Sequence, residues 1–96
     1  MHYVYILYNT VTNKFYIGRT IWMNKRLKEH KLGLNKSTKL KSYAWELVYV
    51  EMYRSEKDAI NRENRLKHHG SGLVEIKKRI QNSIKVIESK TGAGEM

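Results

Sequence analysis

The sequence contains no cysteine. That removes disulfide frameworks, thiolate zinc sites and cysteine nucleophiles before any motif is read, and it is compatible with a reducing compartment. Long hydrophobic runs are also missing. The longest, Tyr3 to Tyr8, is far below the ~20 residues that span a bilayer, and no basic segment precedes it as in a signal peptide. The expectation is a cytoplasmic protein with no membrane partner. Acidic residues are scarce as well: 9 Asp and Glu stand against 19 Lys and Arg, a formal charge of +10. Such an excess favours a polyanion through counterion release from phosphates, which makes nucleic acid the leading ligand class. The plainer reading is that excess lysine only keeps a small chain in solution. No glycine-rich phosphate loop, nucleophile elbow or zinc spacing is present.

What is there fits one small folded domain. Ninety-six residues with 41% hydrophobic and 29% charged side chains have the composition of a globular chain, and a chain of this length buries roughly 65% of its unfolded surface. Aromatic and β-branched residues at 3–8 (YVYILY), a polar turn at Asn9 to Lys14 and a second β-type run at Phe15 to Gly18 predict a hairpin. Alternation puts Tyr3, Tyr5 and Leu7 on one face and Tyr16 and Gly18 on one face, so Tyr5 and Tyr16 can share a sheet surface. Thr20 is a candidate N-cap for a helix from Ile21 to about Lys31, with Met23, Leu27 and His30 in line. Residues 33–43 (GLNKSTKLKSY) show no periodicity and read as a basic loop that either clamps a phosphate backbone or is simply solvated. Leu47 to Tyr53 predicts a third strand whose Val48, Val50 and Met52 form an unbroken apolar face. Ser55 caps a helix reaching Lys67 or His68, Gly70 and Gly72 end it, and Leu73, Ile76, Ile80, Ile84 and Ile87 mark one amphipathic helix beyond. The order is β-β-α-β-α-α, a single domain over 1–88 with 89–96 as a flexible tail.

Three features carry chemistry. Glu63 lies in line with Ala59 and Leu66, on the face expected to be buried, where a carboxylate is costly unless paired or metal-bound. It is either a structural ion pair with Arg62 or Lys67, or a ligand for a hard divalent cation that keeps waters and takes phosphate oxygens. Arg26 and His30 stand one helical turn apart, a guanidinium suited to bidentate phosphate binding and an imidazole suited to orienting water or a phosphate oxygen. Tyr5 and Tyr16, among seven tyrosines, can bring two hydroxyls beside Gly18, whose missing side chain leaves space for a ligand. The adjacent His68 and His69 diverge at a helix end and make a poor chelate.

Taken in order, Tyr3-Val4-Tyr5, Tyr16-Ile17-Gly18-Arg19-Thr20, Arg26-Leu27-Lys28-Glu29-His30, and Asp58-Ala59 with Arg62-Glu63 and Leu66-Lys67 resemble the GIY-YIG nuclease superfamily, most closely its small single-domain bacterial members. The likeness runs from residue 2 to about 80. It implies an α+β fold with a small three-stranded antiparallel sheet flanked by helices, and a DNA endonuclease hydrolysing phosphodiester bonds with one Mg²⁺ or Mn²⁺ and no small-molecule cofactor. By the same likeness Glu63 matches the metal-binding glutamate, Arg26 the arginine on the scissile phosphate and His30 the polar residue a turn beyond. Tyr5 and Tyr16 match the tyrosines that bracket the attacking water, Gly18 the glycine that keeps the site open, and Arg19 a place often basic. Tyr5 is favoured as base with Tyr16 positioning, and the opposite assignment stays open. Deprotonating a tyrosine of pKa ~10 costs about 4 kcal/mol at pH ~7, which neighbouring cations must reduce. Lys36, Lys39 and Lys41 are expected to bind the DNA backbone, whether single-stranded, duplex or branched. Two departures from the family pattern are a tyrosine at position 3 in place of glycine and no clear match for the polar residue after the glutamate, Asn82 being the nearest. A monomer or weak dimer is expected, DNA repair is a suggested setting, and the alternative to an enzyme is a non-catalytic or feebly catalytic nucleic-acid-binding module on the same basic face.

Overall fold

A computed structural model describes residues 1–90. The hairpin is present as β1 (His2–Asn9) and β2 (Phe15–Thr20). Its turn is closed by Asn9, whose side-chain oxygen accepts from the Val11 and Thr12 amides at 2.9 Å each, while Asn13 takes a left-handed φ of 60°. Asparagine supplies both devices, since its short side chain mimics a turn of backbone and tolerates positive φ. β3 (Trp45–Tyr53) begins two residues before the predicted strand. Both pairings are antiparallel in the order β2-β1-β3, so β1 is central. That position explains its unbroken buried run from Val4 to Asn9, because a strand covered on both faces has no reason to alternate.

One face of β1 sends Val4 and Ile6 into a cluster with Ile17, Ala59, Leu66, Ile76 and Ile80. The other sends Tyr5 and Leu7 toward Trp45, with Met23 and Leu27 packed on them. The predicted apolar face of the third strand is broken. A bulge at Val48 shifts the register, with Ile6 opposite Tyr49 but Leu7 opposite Leu47. Val48 packs into the first cluster, whereas Val50 and Met52 pair with Tyr5 and Tyr3 on the other face and remain exposed. One extra residue reverses side-chain polarity along a strand, and propensity alone does not reveal it.

The first helix, α1 (Met23–Lys31), starts two residues later than predicted. Thr20 is the last residue of β2 instead of the N-cap, and its hydroxyl accepts from the Trp22 amide at 3.0 Å, bending the chain toward the helix. At the far end Gly33 adopts φ 77°, and the Gly33 and Leu34 amides donate to the His30 and Glu29 carbonyls, a Schellman ending that glycine permits. The predicted featureless loop contains two single-turn 3₁₀ helices, Lys36–Thr38 and Ser42–Ala44. Asn35 caps the first by accepting from the Ser37 amide at 2.9 Å.

α2 (Glu56–His68) is capped by Ser55 as predicted, with the Asp58 amide donating to Ser55 Oγ at 3.4 Å. Gly70 and Gly72 do not form a turn; they open α3 (Gly70–Arg79) directly after His69. The predicted single last helix is also two, because Ile80 leaves helical geometry and α4 (Gln81–Lys90) restarts after it. The break lets Leu73, Ile76, Ile80 and Ile84 all pack under the sheet. Ser89 and Lys90, expected in a flexible tail, are helical, and the rest of that tail lies outside the described residues.

Arg62 Nε and Nη2 donate to Glu51 Oε1 and Oε2 at 2.7 and 2.8 Å, and the Tyr49 and Tyr53 hydroxyls donate to the same carboxylate at 2.7 Å each. Burial alone would raise the Glu51 pKa, but these four bonds outweigh it and bring it from an ordinary 4.5 to about 2. A carboxylate depressed on folding stabilises the fold above its unfolded pKa and loses that contribution as pH falls through the folded value, here between about 5 and 2. The size is roughly 3 kcal/mol at neutral pH. Urea midpoints for the wild type and Glu51→Gln are therefore expected to differ most near pH 7 and to converge toward pH 2. A gap independent of pH would contradict the ionised pair.

Candidate active site

Tyr5 is completely buried, at 0% exposure, and its ring lies over Gly18, its partner across the hairpin. A Cβ built on Gly18 would clash with the Tyr5 hydroxyl and ring. The space expected to serve a ligand is thus filled by Tyr5, and any side chain at 18 would expel the ring. Tyr5 and Tyr16 share the face as predicted, with ring centroids 6.3 Å apart. Tyr16 is only half-buried, so of the two hydroxyl-bearing rings it is the one that solvent touches.

His30 does not face solvent. It too is at 0% exposure, with Nε2 at 2.7 Å from the Tyr5 hydroxyl, Nδ1 at 2.7 Å from Thr38 Oγ1, and its ring 4.9 Å from that of Tyr16. Thr38 Oγ1 donates to the Asn35 carbonyl at 3.5 Å, and the Trp45 indole N–H donates to the Thr38 carbonyl at 2.9 Å. One proton arrangement satisfies the whole chain: Tyr5 O–H donates to Nε2, Nδ1–H to Thr38, and Thr38 onward to Asn35. Burial, then the Arg26 charge, lower the His30 pKa, so the imidazole is neutral at pH 7. His30 is thus held between Tyr5 and Thr38. Thr38 was not legible in the sequence, because a threonine inside a lysine-rich loop carries no pattern that separates it from solvated neighbours.

Arg26, one turn before His30 on α1, stays partly exposed and its Nε pairs with Glu29 Oε1 at 3.1 Å. Glu63, from α2, retains 16% side-chain exposure. Its Oε1 accepts from Arg19 Nε at 3.3 Å and its Oε2 from Lys67 Nζ at 3.0 Å, while Arg19 also reaches Glu56 at 3.6 Å. The ion pair expected with Lys67 is present, but Arg62 belongs to Glu51 and leaves Glu63 to Arg19. Burial first, then Tyr16, push the Tyr5 pKa upward; the Arg26 charge and hydrogen bonding pull it down, and the Glu63 charge raises it again. Tyr16 from one strand and Arg26 and Glu63 from two helices thus act on one hydroxyl, and the net result keeps Tyr5 protonated at neutral pH.

The remaining sequence candidates stand apart. Lys36, Lys39 and Lys41 are exposed along the loop that carries Thr38. Asn82 is exposed on α4. Among the described residues no three His, Cys, Asp or Glu side chains gather as a metal cluster. No described helix is long and apolar enough to cross a membrane.

Compared with models of protein families, residues 1–73 match the GIY-YIG catalytic domain. No curated protein and no solved structure matches the chain. The matched span runs from β1 into the first turn of α3 and includes both motif tyrosines, Arg26 and Glu63. With three antiparallel strands, that helix order and most of the length covered, the chain belongs to the GIY-YIG family of nuclease domains.

Proposed function

We propose that this domain is a metal-dependent DNA endonuclease with Tyr16, Arg26 and Glu63 at the reacting phosphate. The observation that supports the reading is the Tyr16 ring 6.3 Å from that of Tyr5 on the hairpin, with Glu63 held by Arg19 of the same hairpin, in a chain of net charge +10. A domain that only bound nucleic acid would gain nothing from a half-buried carboxylate beside the phosphate path.

The donor set suits a small hard cation. Glu63 offers one carboxylate whose present partners, Arg19 and Lys67, are themselves partly exposed and able to move onto phosphate. Mg²⁺ is commonly held by one or two carboxylates with water and substrate oxygens, and Mn²⁺ accepts the same hard donors. When bound, the cation supplies charge stabilisation for the phosphorane and its leaving oxygen.

The protein's own groups account for the rest. Arg26 exchanges Glu29 for two phosphate oxygens and stabilises the charge that builds on them. Tyr16, half-exposed, takes a proton from the attacking water as its oxygen bonds to phosphorus in line with the departing oxygen. Tyr5 is buried, protonated and fixed by His30, and it positions Tyr16 and the water; its raised pKa moves the proposed base from Tyr5 to Tyr16. His30 and Thr38 are positioning residues. Lys36, Lys39 and Lys41 supply salt-sensitive affinity for the backbone.

The test is cleavage of labelled single-stranded, duplex and branched DNAs with Mg²⁺, Mn²⁺ or EDTA, for wild type, Tyr16→Phe and Tyr5→Phe. Metal-dependent products are expected, falling about 10²-fold or more in Tyr16→Phe and less in Tyr5→Phe. A larger loss in Tyr5→Phe would return the base to Tyr5. Intact DNA under every condition, with binding retained, would favour the non-catalytic module.

A further inference from the structure

Beside this site lies a second surface that the proposed chemistry leaves unused. Trp22 stands at the start of α1 with 64% of its surface exposed. With Tyr3, Ile21, Met23, Asn24 and Lys25 it lines an open cleft of about 350 Å³. A tryptophan this exposed contributes little to the core, and the chain's other tryptophan, Trp45, is at 5% with its indole N–H satisfied. The apolar walls continue onto Met52, the cross-strand partner of Tyr3.

The cleft is continuous with the reactive groups. The Arg26 amide donates to the Trp22 carbonyl at 2.9 Å, so Trp22 is one helical turn, about 5.4 Å of axis, ahead of Arg26. Tyr3 precedes Tyr5 by two residues on the same sheet face, about 7 Å along the strand. Both routes lead one short step away from the place assigned to the scissile phosphate. The polar rim is cationic or neutral: Asn24 offers an amide, and Lys25 makes only a long, exposed 3.7 Å pair with Glu29 that a phosphate can replace.

We propose that this cleft takes an unpaired nucleobase adjacent to the scissile phosphate, stacked on Trp22, with Lys25 on the neighbouring backbone phosphate. Three observations select that occupant: an exposed aromatic face, apolar walls, and a positive rim on a chain of net +10. Base–aromatic stacking on a basic track is the general means by which single strands are held. In a duplex the bases are paired and stacked inward, and a base reaches such a cleft only after leaving the stack. The substrate class is accordingly DNA with an unpaired nucleotide at the cut: single strands, flaps or gaps rather than continuous duplex. This inference rests on the nuclease reading for its placement next to a scissile phosphate, but base binding itself does not require cleavage.

The two can be separated by working in EDTA. Wild type and Trp22→Ala are titrated with an oligo(dT) single strand and with a blunt duplex, following intrinsic tryptophan fluorescence and the anisotropy of labelled DNA. The single strand is expected to quench wild-type emission, and the quenching disappears in Trp22→Ala because Trp45 is buried. Single-strand affinity falls about tenfold or more in the variant, duplex affinity changes less than twofold, and Trp22→Phe restores most of the loss. Quenching that survives in Trp22→Ala, or equal losses for the two DNAs, would overturn the base site. Retained quenching in the wild type together with absent cleavage in Mg²⁺ would leave the base site standing and remove the nuclease reading instead.

Discussion

Replacing Glu63 with glutamine is expected to reduce DNA cleavage by about 10³-fold or more while leaving DNA affinity in EDTA within about twofold. Glutamine keeps the size of the side chain but loses the formal charge that a divalent cation needs, and loss of several kcal/mol of charge stabilisation corresponds to this factor. The fold is expected to tolerate the change. The pairs Glu63 makes with Arg19 at 3.3 Å and Lys67 at 3.0 Å have partly exposed partners, and such pairs contribute at most about 1 kcal/mol. Binding is carried by lysines and arginines elsewhere, and removing a negative charge near the phosphate path can only ease it. Gel assays of cleavage beside anisotropy on one labelled DNA read both quantities. Undiminished cleavage by Glu63→Gln would mean that Glu63 serves Arg19 and Lys67 alone, as a structural ion pair.

Arg26→Ala is expected to lower turnover by about 10²- to 10³-fold, the usual loss when one well-placed donor to a charged transition state is removed. Its structural role is small: the described ion pair is with Glu29, three residues on in the same helix, worth a few tenths of a kcal/mol. Melting temperature is therefore expected to stay within a few degrees. Arg26→Lys restores the charge without the planar two-donor fork and is expected to recover only part of the rate. The removed guanidinium also lowers the Tyr5 pKa in the wild type, so the variant holds Tyr5 still more firmly as the neutral phenol. Single-turnover rates alongside thermal melts separate the two roles. A collapse in melting temperature would reassign Arg26 to the fold.

Much of this architecture was legible because it rests on local patterns. Strands β1 and β2, the Ser55 cap and the extent of α2 follow from side-chain shape and capping, which sequence exposes directly. The shared face of Tyr5 and Tyr16 follows from the two-residue repeat of a strand. The misses occur where tertiary packing decides. The bulge that turns Val50 and Met52 outward depends on β1 as partner, and the break at Ile80 depends on the sheet that α3 and α4 must cover together. Arg62 is adjacent to Glu63 in sequence yet points to Glu51, since neighbouring residues on a helix diverge. Inside the site, Glu63, Arg26 and the tyrosines were nominated by type and spacing, but their environments were not. Burial makes His30 a support for Tyr5, and Thr38 completes that support from a loop whose sequence looks solvated.

The decisive measurement is the single-turnover cleavage rate of one labelled DNA, with protein in excess, as Mg²⁺ is raised from zero in EDTA-stripped buffer. No cleavage is expected without the cation and a saturating rise with it, the rise being lost in Glu63→Gln at every Mg²⁺ concentration. Cleavage that proceeds equally in EDTA, or a Mg²⁺ response that is the same with and without the Glu63 carboxylate, would mean that Glu63 holds no catalytic cation.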